Sequence, residues 1–497
     1  MPRILDEADF VIVGTGAGGA TAARVLSDAG FELVMLEEGA FLKPEDRPKE
    51  LVDAMALAVR GMATLSTDSL VPMPLLSGKC VGGSTAINSD IVWRTPDDVR
   101  ADWAATYGLG HLVGGALDRA LDTIERDLFV HPTDADALGE NSGRMRSAAE
   151  KLGLPGRVIH RNVTGCRGSN RCLQGCPNAA RQSMEVSYVP KAMARGARLH
   201  VGAKVERVLF ERGRAVGVRG TRKSEAGGPE AFEVRARLGV VVAGGALFTP
   251  VLLQRSGVRH KNLGERFQAH PGAAFVGAFD EPVHMGFGAS QGYEVPMRAQ
   301  GFKLEALGLP PDMLAARLPG AGAEWQERVQ KLGHYVQWGG LVRMEARGRV
   351  RSGFFDGVSV RYEPTARDLS VVRDALLLVG RMMFAAGARE IYPGIVGIPE
   401  VVRSEGELLA HLEHRTIRRP DVHLVASHLF GTTCASSDPS VGVLDEELRV
   451  RGVEGLLVMD ASALPTNLGV NPQHTIMGVV QVASERLAER SSRRAAA

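Results

Sequence analysis

The stretch Phe10–Glu38, FVIVGTGAGGATAARVLSDAGFELVMLEE, decides the fold. Phe10 to Val13 is a short apolar run, Gly14, Gly16 and Gly19 occupy the glycine positions of a GxGxxG turn, and Ala20 to Leu26 carries small and aliphatic residues at helical spacing. The first glycine permits a tight turn, the second lets backbone approach a pyrophosphate, and the third lets the helix pack closely on the strand. The helix start then offers free N–H groups and the positive end of its dipole to phosphates. Glu32 to Leu36 is the second strand, and Glu37 at its end is placed to accept hydrogen bonds from a ribose, which favours FAD or NAD over a 2'-phosphorylated nucleotide. Glu38, the neighbouring alternative, points its side chain to the other face.

Outward from this unit, 497 residues suffice for two or three domains, and equally for one nucleotide-binding domain with insertions. Fifty-nine Lys and Arg against 57 Asp and Glu leave a net charge of +2, so no global field recruits nucleic acid or an anionic membrane. Small-molecule chemistry is the expectation. The N-terminal MPRILDEAD runs straight into the first strand without a signal-like apolar core, and no run of about 18 apolar residues spans a bilayer, so the sequence reads as cytoplasmic with no transmembrane segment. Of the five cysteines, Cys166, Cys172 and Cys176 crowd into one loop, a pattern closer to a metal or cluster site than to a disulfide framework.

A second glycine loop, Gly78-Lys-Cys-Val-Gly-Gly-Ser-Thr-Ala-Ile-Asn88, reads as another cofactor contact: Gly82 and Gly83 clear space for backbone, and Asn88 adds a short polar side chain. Helical spacing marks Pro96 to Phe129 and Ser142 to Leu152. Strands are expected over 199–205 and 206–210 with 214–219 as the hairpin return. Leu238 to Ala243 reads as a buried parallel strand, followed by a helix from Phe248 to Ser256 with Pro250 in its first turn and Gly257 at its end. Between Ala273 and Arg419, strands are expected at 274–279, 335–344 and 357–362, and helices at 304–331 and 369–386. A final strand, Leu456 to Met459, ends in Asp460, and a helix runs from Thr475 to Ser492.

Four stretches together resemble the glucose-methanol-choline (GMC) family of FAD-dependent oxidoreductases: the opening unit with Glu37, the loop Gly78–Asn88, the segment AGGALFTPVLLQRSG ending at Gly257, and the C-terminal run from His428 through Asp460 to Asn471-Pro-Gln-His-Thr475. The resemblance covers 8–96, 160–272 and 422–490 and is weak over 273–419. It implies an α/β fold with a Rossmann-like FAD-binding domain and a separate α+β substrate domain of antiparallel sheet and helices. The expected division is 1–272 and 421–497 for the FAD domain, with the cysteine loop 165–177 inside it, and 273–420 for the substrate domain. By the same resemblance Gly82, Gly83 and Asn88 lie along the cofactor, Val205 meets adenine through its backbone, and Asp460 and Thr475 contact the cofactor. His428 is the active-site histidine and Asn471 its partner, with His474 a minor alternative and His270 and His423 read as structural. No histidine stands near Ser84, so FAD is expected to be non-covalent.

The implied reaction is oxidation of an alcohol by hydride transfer to flavin N5. A histidine suits the proton transfer because its pKa lies nearest neutrality, and an amide orients the hydroxyl without competing for the proton. Cys166, Cys172 and Cys176-Pro177 resemble the loop of bacterial FAD glucose dehydrogenase catalytic subunits, which carries a 3Fe-4S cluster; a cluster, a zinc site and a structural thiol loop all remain open. Electrons would pass to oxygen, a quinone or an electron-transfer protein. Phe275, Phe279, Met285, Phe287, Tyr293, Met297, Phe302, Leu304 and Trp338 suggest an apolar pocket and therefore a hydrophobic or aromatic alcohol. Rival readings are a sugar dehydrogenase feeding a cluster, a lyase or decarboxylase on the same scaffold, and a non-catalytic flavin-binding subunit.

Overall fold

The structure, a computed structural model, describes residues 3–224, 227–353 and 357–496; Met1, Pro2 and Ala497, which belong to the segments drawn above, lie outside the described residues. Two seven-stranded sheets organise the chain. In the first, Arg3–Val13 is central and pairs in parallel with Leu33–Leu36 on one side and Pro229–Val242 on the other. Arg198–His200 continues the parallel run beyond Leu33–Leu36, and Leu456–Val458 pairs with Pro229–Val242. Strands buried on both faces must be apolar throughout, and Phe10, Val11 and Ile12 are each at most 1% exposed. The antiparallel strands Ala203–Glu211 and Arg214–Lys223 extend this sheet as the expected hairpin.

The second sheet is antiparallel, ordered Glu390–Tyr392, Gln268–Ala278, Tyr335–Val342, Phe302–Leu307, Tyr293–Met297, Arg157–Val158, with Val425–Phe430 also pairing with Gln268–Ala278. The twenty-residue helix Ala366–Ala385 packs on it, started by a capping box between Thr365 and Asp368. The sequence division at 272/273 falls inside the strand Gln268–Ala278, and the segment after 420 contributes Val425–Phe430 to this second sheet.

Two expectations need correction. The helix expected from Phe248 begins at Gly245, so Pro250 sits inside it; Gly244 and Gly245 form its start on the cavity wall. More consequential is 304–331, expected as one helix: Phe302–Leu307 is a strand, and only Pro311–Ala315 and Gly322–Gln330 are helical. The alternation Phe302-Lys-Leu-Glu-Ala-Leu307 has period two, with polar residues on one face, and both faces of this strand are buried, the charged one included.

Candidate active site

A cavity of about 850 Å³ is shared by the two sheets. At one end it is lined by Gly14, Thr15, Gly16, Ala17 and Gly18, by Glu37 and Glu38, and by Ala203 and Val205. The helix Ala17–Asp28 starts on Gly16 without any side-chain cap, and among the described residues no side chain is recorded as accepting from its first N–H groups, which open on the cavity. That is the chemistry of an anion site at a helix N-terminus. Gly19 serves packing: a Cβ there would lie 2.0 Å from the Gly14 carbonyl oxygen. Glu37 is buried, with Oε2 accepting from the Thr15 hydroxyl at 2.8 Å and Oε1 from the Gly39 amide at 2.9 Å. Burial pushes its carboxyl up, and these hydrogen bonds pull the other way. A carboxylate has about four acceptor positions, so capacity remains for ribose hydroxyls. Glu38 is instead tied to Arg60 at 2.7 Å and Lys79 at 3.3 Å. Thr15 also accepts from the Gly82 amide at 3.1 Å, which joins the first glycine turn to the second.

The other end is built by the second sheet. His270 and His428 are directly paired across the Gln268–Ala278 and Val425–Phe430 strands. Their Nδ1 atoms are 3.0 Å apart, so one ring donates to the other. Burial first, and then neighbouring cations, hold both rings neutral at pH 7: His428 is pushed down to about 3 by burial and the Lys303 ammonium, and His270 well below its ordinary value. With Nδ1 engaged, Nε2 is the free nitrogen of His428, which lines the cavity. Asn471 also lines the cavity, and its Oδ1 accepts from Lys303 Nζ at 2.6 Å. Strand alternation and register put Lys303, Glu305 and Glu294 on one face of the sheet, with Leu341 opposite Lys303. The ammonium reaches Glu294 at 2.8 Å and Glu305 at 2.5 Å, and Gln291 of the cavity wall donates to Glu305.

The remaining sequence candidates take other positions. Asn88 lines the cavity with its side chain held by Gln473 and by the Asp90 amide. Gly83 lines it, whereas Gly82 packs beneath, where a Cβ would lie 2.4 Å from Glu185. Asp460 lines it, but Ser462, Thr249 and the Gly245 amide already occupy both its oxygens, so it shapes the Gly244–Gly245 turn. Thr475 is not among the lining residues and hydrogen-bonds Thr95. His474 pairs with Glu125 at 3.3 Å and His423 is exposed beside Arg317, both away from the cavity lining. Of the nine residues expected to form an apolar pocket, none lines the cavity. Phe275, Phe279, Tyr293, Phe302, Leu304 and Trp338 fill the core on the sheet's other face, and Phe287 is exposed.

Cys166 and Cys172 both receive hydrogen bonds from the fully buried Arg161 guanidinium, at 3.7 and 3.3 Å. Among the described residues no group of three or more His, Cys, Asp or Glu could hold a metal ion, so Cys166, Cys172 and Cys176 do not fit the three-thiolate ligand set of a cluster. Sequence reading missed Thr15, His270 as a partner, Lys303, Glu294 and Glu305. Only the FKLEAL alternation carried a signal for the last group.

Fold and cavity define a Rossmann-like nucleotide-binding scaffold joined to an antiparallel-sheet unit. The chain matches the GMC oxidoreductase family over residues 8–272 and 345–479 and belongs to it. It is a flavoprotein oxidoreductase family whose members bind FAD. The chain is 38% identical over 483 residues to an uncharacterized GMC-type oxidoreductase of Mycobacterium tuberculosis, covering 96% of this chain and 75% of that one. It is 27% identical to the long-chain-alcohol oxidase FAO4A of Arabidopsis thaliana, over 96% of this chain and 68% of that protein. Among solved structures, pyridoxine 4-oxidase of "Mesorbium loti" shares the fold at a TM-score of 0.72 and 18% identity, covering 96% of this chain and 98% of that one. No helix of the described residues is long and apolar enough to cross a membrane.

Proposed function

We propose that this protein oxidises a lipophilic alcohol to the carbonyl compound with non-covalently bound FAD. The observation that carries the reading is a neutral histidine, His428, facing the same cavity as the Asn471 amide and held through Nδ1 by a second neutral histidine. Glu37, the open helix start at Gly16 and Val205 would hold the adenosine and pyrophosphate of FAD, and Gly83 and Asn88 its continuation towards the second sheet. Bound FAD supplies the hydride acceptor.

The residues divide the remaining work. His428 takes the hydroxyl proton at Nε2, while its Nδ1 hydrogen is donated to His270, so the imidazolium that forms keeps a partner. Asn471 hydrogen-bonds the alcohol oxygen and aligns the carbinol carbon. Met313, Leu341, Val425 and Leu429 give the lining apolar character, beside the polar Gln291 and Ser427, which suits a chain or ring carrying one hydroxyl. The long-chain-alcohol oxidase relative supports the same substrate class. In this reading 1–272 and 421–497 hold the cofactor and 273–420 the substrate, with the strand Val425–Phe430 carrying the base between them. The loop 165–177 is structural, and the electron acceptor is oxygen, a quinone or a protein rather than a cluster of this chain.

Anaerobic mixing with a panel of aliphatic, aromatic and sugar alcohols tests the reading. Lipophilic alcohols should bleach the flavin, and His428→Ala should slow that bleaching ~100-fold or more. Bleaching by sugars alone would overturn the substrate class, and unchanged reduction in His428→Ala would remove the base. Turnover without bleaching would favour a lyase on this scaffold.

A further inference from the structure

The floor of the catalytic end holds an ammonium and two carboxylates, all essentially inaccessible: Lys303, Glu294 and Glu305 are 0–1% exposed. Lys303 donates hydrogen bonds to Glu294 Oε2 at 2.8 Å and Asn471 Oδ1 at 2.6 Å, and its ammonium pairs in charge with Glu305 Oε1 at 2.5 Å. Glu294 is held further by Arg157 at 2.8 Å and the Trp93 indole at 3.0 Å. Desolvating such a group is costly and stabilises a fold no better than apolar residues of similar volume. Its place beneath the cavity, rather than its contribution to stability, is what calls for a reason.

An ammonium only donates, so the Asn471 atom facing Lys303 must be the oxygen, and the amide nitrogen with its two hydrogens is left for the cavity. Among the described residues no hydrogen bond to that nitrogen competes. We propose that Lys303 is a positioning residue of the oxidation site: it locks the Asn471 amide with its hydrogens towards the substrate oxygen and sets a fixed positive charge behind that oxygen. The inference rests on the alcohol-oxidising reading above. As the hydroxyl gives its proton to His428 Nε2, negative charge grows on the alcohol oxygen, and donors already aimed there need no reorganisation. The same charge opposes protonation of His428 before substrate arrives. The groups that face His428 are His270 across the sheet and Lys303; Lys303 in turn faces Glu294 and Glu305, and Arg298 and Arg343 act on His270.

The test uses the FAD-loaded protein, 1-decanol and benzyl alcohol as probes in anaerobic stopped flow, and NMR titration of 15N-histidine-labelled protein, with His428→Ala assigning the resonance. Lys303→Met combined with Glu305→Gln removes the ammonium together with one of its two carboxylates, so that Glu305 is not left unpaired, while Glu294 keeps Arg157; Lys303→Arg keeps the positive charge. Asn471→Asp places an acceptor where the amide hydrogens point. We expect the double variant and Asn471→Asp each to slow flavin reduction at saturating alcohol ~10- to 100-fold, and Lys303→Met to add less than ~3-fold to Asn471→Ala. The His428 titration should move to higher pH in the double variant and stay in place in Lys303→Arg. Wild-type reduction by Asn471→Asp would mean the amide oxygen faces the substrate and would overturn the proposal. So would an unshifted His428 titration in the double variant. If that variant does not fold, Asn471→Asp decides alone. Unchanged reduction in His428→Ala, by contrast, would sink the alcohol-oxidising reading, and the titration would still judge Lys303.

Discussion

The two ends of the cavity are made in different ways. At the nucleotide end the working groups are mostly backbone, an uncapped helix start and glycines under contact, with one side-chain carboxylate, Glu37, beside them, all within residues 10–38. At the catalytic end they are side chains, His270, Lys303, His428 and Asn471, carried by segments far apart in the chain and aligned by strand register. A backbone cradle tolerates no added volume, whereas a side-chain site tolerates volume but depends on each partner's hydrogen bond. The largest effect is therefore expected from Gly18→Val, because even a Cβ there would lie 1.9 Å from the Met459 carbonyl oxygen. No flavin-loaded protein should be recovered, as read by the absorption of the purified chain; a yellow, stable Gly18→Val protein would break the distinction.

At the catalytic end the corresponding cut removes a partner, not space. His270→Leu deletes the acceptor for His428 Nδ1 and should slow flavin reduction ~10-fold with the protein still folded and loaded. His270→Asn, which keeps an acceptor, should recover part of that rate. Equal rates in both variants would show that the pairing across the strands does nothing for His428.

This contrast also explains what could be read beforehand. The nucleotide end was legible because its residues are consecutive and each type has a local reason: glycine for close approach, an acid at the strand end, alternation of strand and helix. His428 and Asn471, which line the cavity, are singled out in the sequence only through resemblance, and Thr475 and Gly82, singled out in the same way, do not line it, because a motif gives position in the chain and not side-chain direction. Lys303 was hidden for a physical reason. FKLEAL reads as a strand with one polar face, and polar faces ordinarily point to water. Here that face turns inward, since Glu305 on the same strand, Glu294 on the next and the Asn471 amide surround the ammonium. The aromatic residues around it, Phe287 excepted, face the opposite side and make the core.

Thr15 is where the backbone end depends on a side chain, and it sharpens the comparison at intermediate size. Its hydroxyl donates to Glu37 and accepts from Gly82, holding two glycine loops together. Thr15→Val keeps the volume, strands the Gly82 amide and leaves Glu37 Oε2 only the residue-15 amide at 3.2 Å, a cost of about 1–3 kcal/mol for buried polar groups left unpaired. The variant should fold, melt lower and lose flavin on dilution more readily than wild type. Retention equal to wild type would mean that the loops are held by packing alone.

The smallest effect separates Asn471 from His474, three residues further on, by what faces each of them. Asn471 opens on the cavity; His474 turns to Glu125, which Arg94 also grips at 2.7 and 2.6 Å. Burial raises the Glu125 carboxyl, but the His474 and Arg94 hydrogen bonds outweigh it and push it down to about 2 from an ordinary 4.5. The folded chain therefore binds fewer protons at this site than the unfolded chain between those values. The stabilisation is complete above pH 4.5 and is lost as the pH falls towards 2. Glu125→Gln should lower the melting temperature at pH 7 by an amount corresponding to about 1 kcal/mol or less, since solvent screens this half-exposed cluster. The gap from wild type should close as the pH falls through that window, while the rate of flavin reduction at pH 7 stays unchanged. A gap that persists at the acid end would assign the loss to packing, and a slowed reduction would move His474 from the structural to the catalytic side of the cavity wall.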